Sequence, residues 1–374
     1  MTRSCRPKVA LMWTNFGPYH FARARALARY VDLCSIQFAS REALYGWSRL
    51  DTDVTLRTVC SGVYESTAAW RIAGGLRREL RAASPSALLI PGYSAPAALA
   101  AALWGRVHGR RNILMSESTA LDRQRRCSRE QAKRLLVSGL FDAAIVGGRR
   151  AAAYVQRLGI TAARIAHGYD VVDNEHFAAG VQAARKECTT DSLGLPCPAF
   201  LFVGRLAAEK NVAVLLAGFS QYRASGGAWS LWIVGRGPLD EQLRVLAASC
   251  SCGDAIRFYG HQDYESILPF YAFANALVLP SVSEPWGLVV NEAMASGLPV
   301  IVSSRCGCVD DLVEAGKNGF VFDPANAAEL AGLMTRLERM DSAVRSRFSQ
   351  RSREIIANYS LDTWTSSVLA LLAN

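Results

Sequence analysis

Ala276-Leu277-Val278-Leu279-Pro280-Ser281-Val282-Ser283-Glu284-Pro285-Trp286-Gly287-Leu288-Val289-Val290-Asn291-Glu292-Ala293-Met294-Ala295-Ser296-Gly297-Leu298-Pro299 reads as three consecutive pieces of backbone. The four apolar residues before Pro280 are a short, fully buried strand, and a tight loop follows that closes at Gly287. The next stretch is a helix stopped by Gly297 and Pro299. A strand, a loop and a helix in that order form the repeating unit of a parallel sheet wrapped by helices. The amides of Leu288, Val289 and Val290 are then expected to point out of a helix N-terminus, which favours anions.

The same alternation runs outward in both directions. Short apolar runs predict strands at 9–13, 33–38, 87–90, 112–115 and 143–146 in the first half, and at 200–203, 231–234, 256–259, 276–279, 300–302 and 320–322 in the second. Each half is a complete doubly wound unit, so the fold class is α/β with two Rossmann-like domains. The polar stretch 172–197 carries no strand signal, ends in Leu195-Pro196-Cys197-Pro198, and is the expected linker. This divides the chain into a first domain at 1–175, a second at 190–350, and a C-terminal helical segment at 351–374 that can pack back on the first domain.

Length agrees with this division, because single cores stop growing at roughly 250–300 residues and the chain has 374. Half the residues are hydrophobic and a fifth charged, an ordinary globular balance that excludes a disordered chain. The net charge is +10, with arginine-rich stretches at 70–81 and 123–134. Such clusters suit phosphates or an anionic membrane surface, or are simply the solvated faces of helices. No aromatic-interleaved basic motif and no zinc spacing accompanies them, which argues against a nucleic-acid partner. The apolar stretch 87–104 is broken by Pro91-Gly92 and Pro96, so it cannot supply the ~20 continuous residues of a membrane-spanning helix. Met1-Thr2-Arg3-Ser4 opens no apolar signal core, which predicts free thiols and a cytoplasmic location, with peripheral contact at the inner face of the membrane as an option. The pairs Cys250/Cys252 and Cys306/Cys308 lack the spacing of a structural metal site.

Open α/β sheets bind ligands beyond the carboxyl ends of their strands. After the strand at 200–203 comes Gly204-Arg205-Leu206-Ala207-Ala208-Glu209-Lys210-Asn211, where a fork-shaped and a point charge can together meet a diphosphate. Glu284 and Glu292 lie eight positions apart around the next anion-attracting helix end. Two carboxylates there are of no use to phosphate itself but can accept hydroxyls, one from a ribose and one from a sugar. The competing reading makes Glu284 a helix cap and Glu292 a solvated surface residue.

The order of these pieces resembles the retaining glycosyltransferases of family 4, which have the GT-B fold of two Rossmann-like domains facing each other across a cleft. The residues that carry the resemblance are Gly204-Arg205 with Glu209-Lys210-Asn211, Val234-Gly235-Arg236-Gly237-Pro238, Pro280-Ser281 with Glu284, Gly287-Leu288, Glu292-Ala293 and Gly297-Leu298-Pro299-Val300. The resemblance implies a retaining, hexosyltransferase-type enzyme that moves a sugar from a UDP- or GDP-linked donor to a glycan or lipid-linked acceptor. Arg205, Lys210 and the helix end at Leu288 can meet the leaving diphosphate and no Asp-x-Asp occurs in a suitable loop, so no metal and no other cofactor is expected. By the same resemblance Arg205 and Lys210 hold the diphosphate, Glu292 the ribose and Glu284 the transferred sugar. The donor-binding set is expected to comprise Gly17, Gly204, Arg205, Lys210, Gly235, Arg236, His261, Gln262, Glu284, Trp286, Gly287, Leu288, Val289 and Glu292.

The first domain matches less closely. Asn15-Phe16-Gly17-Pro18-Tyr19-His20 stands where the family has its donor-facing glycine loop, and Gly17 is expected to let the backbone approach closely. The histidine that many members carry after the fourth strand is replaced by Ser116-Glu117-Ser118-Thr119. The catalytic set is therefore expected to be Glu284, Arg205 and Lys210, with Glu117 or His20 in the place of that histidine. His167-Gly168-Tyr169-Asp170 resembles the segment that ends the family's first domain, with His167 and Asp170 as pocket, hinge or turn residues. A dinucleotide-dependent oxidoreductase is disfavoured, because position 240 is Asp240 where the third glycine of G-x-G-x-x-G belongs. A sugar-nucleotide epimerase, a phosphorylase-like enzyme or an inactive nucleotide-sugar-binding protein would share the fold.

Overall fold

Parallel pairing requires strands that are apolar on both faces, and the central strands meet that requirement: Val9, Ala10, Leu11 and Met12 are fully buried, as are Leu277, Val278 and Leu279. The computed structural model, which describes residues 6–42, 54–122 and 126–373, has two sheets of such strands. The first contains β1 (Lys8–Trp13), β2 (Asp32–Arg41), β3 (Leu56–Val63), β4 (Ala87–Pro91), β5 (Arg111–Ser116), β6 (Ala143–Val146) and β7 (Ile165–His167). The second contains β8 (Ala199–Val203), β9 (Ser230–Val234), β10 (Ile256–Gly260), β11 (Ala276–Leu279), β12 (Val300–Ser303) and β13 (Gly319–Phe322).

The first sheet runs β3-β2-β1-β4-β5-β6-β7 and the second β10-β9-β8-β11-β12-β13. Every pairing is parallel. In each sheet the chain starts in the middle, winds to one edge, then returns to wind to the other. The order reverses between β1 and β4 and between β8 and β11, and a crevice opens beyond the carboxyl ends at such a switch point.

Amphipathic helices cover the sheets. The helix Ala69–Ala83 buries Ile72, Leu76, Leu80 and Ala83, spaced four, four and three apart along one stripe. The last helix, Leu361–Ala373, belongs to the first unit: the indole of Trp364 is buried and donates to the backbone carbonyl of Arg23 at 3.2 Å.

Three expectations need correction. Strands β3 and β7 were not anticipated; both are sheet edges, partly exposed, without a continuous apolar run. The expected linker holds a 14-residue helix, Asn174–Glu187, capped by the Asp173 carboxylate on the amide of His176 at 3.0 Å. The boundaries also differ. The first unit comprises 1–120, 124–172 and 360–374, and the second 121–123 and 173–359, so residues 351–359 belong to the second.

Candidate functional site

In the second unit the switch point brings together the loops after β8 and β11. Gly204 leaves β8 with φ +158 and donates to Val234 O at 3.0 Å, while Leu206 donates to Arg236 O at 2.9 Å. A methyl group on Gly235 would lie 1.9 Å from Gly204 O, and one on Gly237 would lie 2.3 Å from Leu206 O. These two glycines let the loops after β8 and β9 interlock, a role in the protein's own packing. Asn211, at φ 55, then turns the chain into the helix Val212–Ala224. Its side-chain amide donates to Pro280 O at 3.2 Å and to Pro324 O at 2.9 Å, and Val282 donates to Glu209 O at 2.9 Å. The loop of Arg205 and Lys210 is thereby stapled to the loop of Glu284.

Lys210 Nζ donates to Glu284 Oε2, which also accepts from Ser281 Oγ at 3.2 Å. The Lys210 and Glu284 side chains are 19% and 12% exposed. Arg205 is more open and pairs with Glu209. Burial would raise the Glu209 carboxyl, but its own backbone amide, Arg205 and Lys210 outweigh burial and hold it below the usual range. Each of the two cations expected at a diphosphate is therefore matched, in the ligand-free fold, by a carboxylate of the protein.

Beside Glu284, Gly287 takes φ +107 to begin the helix Leu288–Ala295. The Val290 amide turns back to Gly287 O at 2.9 Å, so it is not available to a ligand, and the anion-facing donors reduce to Leu288 and Val289. The Glu284 loop is backed by 303–308, where Gly307 donates to Glu284 O at 2.9 Å and a methyl on Gly307 would lie 1.7 Å from Pro285 O. Glu292 is 3% exposed, and its Oε2 accepts from the buried Tyr271 hydroxyl at 2.6 Å, so it is no solvated surface residue.

Trp286 does not face the donor site as expected. Its side chain is buried, and its indole donates to Asn291 Oδ1 at 2.8 Å, so it anchors the loop to the helix that follows. After β9 and β10, Arg236 and His261 are exposed and Gln262 donates back to Tyr259 O at 3.0 Å.

In the first unit, Gly17 caps the helix Pro18–Ala28 with φ −111, an extended conformation open to any residue. A left-handed turn is therefore not the reason for glycine there. Its amide donates to His20 Nδ1 at 3.0 Å, which leaves Nε2 to carry the proton of the neutral ring. The His20 ring lies 4.5 Å from that of Trp13, and burial followed by the neighbouring Arg23 guanidinium holds His20 well below its ordinary range. Arg23 was not singled out by sequence, although it stands one helical turn after His20. It is 2% exposed, with its guanidinium 5.6 Å from the Trp13 ring and 5.0 Å from the Tyr169 ring. Asp170 is buried as well; desolvation, then the charge of Glu117, push its carboxyl well above the usual range against the pull of Arg23. Glu117, Asp170, Arg23 and His20 thus form one electrostatic group beyond the carboxyl ends of β1, β5 and β7, while His167 is exposed at the end of β7.

Residues 196–355 match the sequence model of the family described as glycosyl transferases group 1. Over 154 residues the chain is 35% identical to a glycogen synthase of Mycobacterium tuberculosis, covering 41% of this chain and 37% of that protein. Over 170 residues it is 29% identical to the putative colanic acid biosynthesis glycosyltransferase WcaL of Salmonella typhimurium, covering 44% and 41%. The chain spans about two fifths of the length of these curated relatives. A crystal structure of Anabaena HepE in complex with UDP superposes with a TM-score of 0.74 at 15% identity, over 98% of this chain and 99% of that one. The two parallel-sheet domains are thus those of the GT-B fold, and the similarity to the glycosyl transferases group 1 family covers residues 196–355.

Proposed function

We propose that the protein is a retaining glycosyltransferase that moves a hexosyl group from a nucleoside-diphosphate sugar to a hydroxyl of a glycan or lipid-linked acceptor. The observation that carries this reading is the meeting of Arg205, Lys210, Glu284 and the helix end at Gly287 on the stapled loops beyond β8 and β11. HepE, solved with UDP and with UDP-glucose, supplies a precedent on this fold for such a donor.

In the reaction, the bond between the anomeric carbon and the β-phosphate oxygen breaks and its electron pair leaves with the nucleoside diphosphate. The acceptor oxygen forms the new bond from the same face, and its proton passes to the departing phosphate oxygen. Charge growing on that oxygen is met by Arg205, Lys210 and the amides of Leu288 and Val289. Glu284 faces the transferred sugar, where positive charge develops, and Glu292, held by Tyr271, takes the ribose. In the first domain, His20 with its Nε2 proton and Glu117 with its carboxylate are the candidates for handling the acceptor hydroxyl. On the helix Cys127–Leu140 the exposed Arg129 and Arg134 suit an anionic membrane that presents a lipid-linked acceptor, while Lys133 is paired with Glu130 at 2.7 Å; Arg123 and Arg125 of the same stretch lie outside the described residues.

Release of free nucleotide on incubation with UDP- or GDP-sugars and a hydroxyl acceptor tests the activity. Glu284→Gln is expected to lower kcat tens-fold or more, the scale of one electrostatic contact with a transition state. Wild-type turnover in that variant would refute the role of Glu284, and a product of inverted configuration would refute retention.

A further inference from the structure

A second cluster of arginines lies in the first unit, at the amino-terminal ends of its strands, the opposite end from His20 and Glu117. A cavity of about 400 Å³ there is lined by Arg106, Gly109, Arg110, Arg111, Asp142 and Arg164. The topology assembles it. Arg106 ends the helix Pro96–Val107, Gly109 turns the chain with φ +61, and Arg110 and Arg111 lead into β5. Asp142 immediately precedes β6 and Arg164 immediately precedes β7, and parallel pairing sets these starts side by side.

The charges do not balance. Among the described residues Asp142 is the one acid lining the cavity, and both its oxygens are engaged: Oδ1 by Arg106 Nη1 at 3.1 Å and Oδ2 by the Asn112 backbone amide at 2.8 Å. Among the described residues, Arg110, Arg111 and Arg164 have no carboxylate within 4.0 Å. The Nε atoms of Arg110 and Arg111 are buried and have no hydrogen-bond acceptor. A buried donor without an acceptor is costly, and guanidinium forks match a tetrahedral oxyanion better than they match water. At ~30 Å³ per water the space holds about a dozen waters, enough for a phosphate together with the group that carries it.

We propose that this cavity is a phosphate-binding site, separate from the donor site of the second unit, and that it takes a phosphomonoester or diphosphate group. The group could be carried by a free molecule or by a lipid. Arg110 and Arg111 supply the buried donors and Arg164 the outer charge, while Asp142 limits affinity by holding Arg106.

The test titrates inorganic pyrophosphate calorimetrically into the full chain carrying Arg205→Ala and Lys210→Ala, which disables the expected donor site. Binding of one equivalent is expected to persist, to weaken at least tenfold with Arg111→Gln or Arg164→Glu, and to tighten several-fold with Asp142→Asn. Arg164 is exposed, so Arg164→Glu and Asp142→Asn carry the test if Arg111→Gln impairs folding. Sedimentation with phosphatidic acid vesicles, against phosphatidylcholine vesicles, separates the sources. Pyrophosphate binding alone assigns a free ligand, and vesicle binding abolished by Arg164→Glu assigns a lipid phosphate. No binding in either arm, or binding indifferent to Arg164→Glu and Asp142→Asn, overturns the proposal.

Discussion

Because the ligand-free fold pairs Lys210 with Glu284 and Arg205 with Glu209, a diphosphate must compete with the protein's own carboxylates for its cations. Removing a competing charge should therefore tighten nucleotide binding. The Lys210–Glu284 pair is 19% and 12% exposed. Fully exposed pairs contribute up to about 1 kcal/mol, and a better-shielded pair somewhat more. Taking about 1–1.4 kcal/mol, Glu284→Gln should bind nucleoside diphosphate roughly five- to tenfold more tightly than wild type. Arg205 and Glu209 are both 39% exposed, so solvent screening leaves about 0.5 kcal/mol and Glu209→Gln should gain only about twofold. Lys210→Ala should lose on the order of 1.5–3 kcal/mol, the usual worth of a charge-assisted bond. Adding Glu284→Gln to it should bring no recovery, since no cation remains to be freed. Isothermal titration with UDP and with GDP, without sugar, measures all four, and the Glu209→Gln gain should shrink as salt is raised. Weaker binding in Glu284→Gln, or unchanged binding in Lys210→Ala, would refute the reasoning and remove the diphosphate from this loop.

Four further outcomes follow from other parts of the structure. Activity is expected to survive a chelator, because side chains and a helix end meet the phosphate charge; complete loss with EDTA, restored by Mg²⁺ or Mn²⁺, would sink that mechanism. Glu292→Gln should raise KM and weaken free-nucleotide binding with little change in kcat, since a ribose contact is the same in ground and transition states; steady-state kinetics with UDP titration separates the two effects. Gly235→Ala should destabilise by 2 kcal/mol or more on an order-of-magnitude basis, because its methyl would lie 1.9 Å from Gly204 O, and an unchanged urea midpoint would contradict the interlocked loops. The folded pKa of His20 is depressed, so its contribution to stability is present above the unfolded value near 6.5 and is lost as pH falls through the folded pKa; His20→Gln should flatten that acid limb by up to about 1.4 kcal/mol per pH unit, read from urea unfolding at several pH values.

Much of the fold could be read from the sequence because parallel strands buried on both faces leave uninterrupted apolar runs. The inner strands β8, β9, β11 and β12 announce themselves in this way, and the edges β10 and β13 keep enough apolar residues to be read as well. The edges of the first sheet do not. In β3 only Val59 is buried along Leu56–Val63, and β7 is two half-buried residues and the exposed His167, so neither carries a run or a clear alternation. The helix Asn174–Glu187 escaped for a related reason: it buries only Phe177, Val181 and Ala184, three positions on one stripe of an otherwise polar segment. Composition averaged over that stretch reads as linker, whereas the four- and three-residue spacing reads as helix.

For the site, residue types were legible and partnerships were not. A sequence shows Arg205, Lys210, Glu209 and Glu284 as charges near strand ends, but that Lys210 meets Glu284 depends on β8 lying next to β11, a pairing of segments some 75 positions apart. The same limit explains Trp286, which stands beside Gly287 in sequence yet turns inward to Asn291, and Arg23, whose aromatic neighbours come from β1 and from the segment after β7. Two cations on one short loop, with no carboxylates beside them, would repel each other and strain the turn that Asn211 staples to the Glu284 loop. Glu209 and Glu284 offset that repulsion, and a diphosphate does the same with more acceptor atoms. The pairs that steady the empty site are therefore the ones a donor must open, and opening the Lys210 pair leaves Glu284 Oε2, among the described residues, with the Ser281 hydroxyl, so that it can turn to the sugar that arrives with the phosphate.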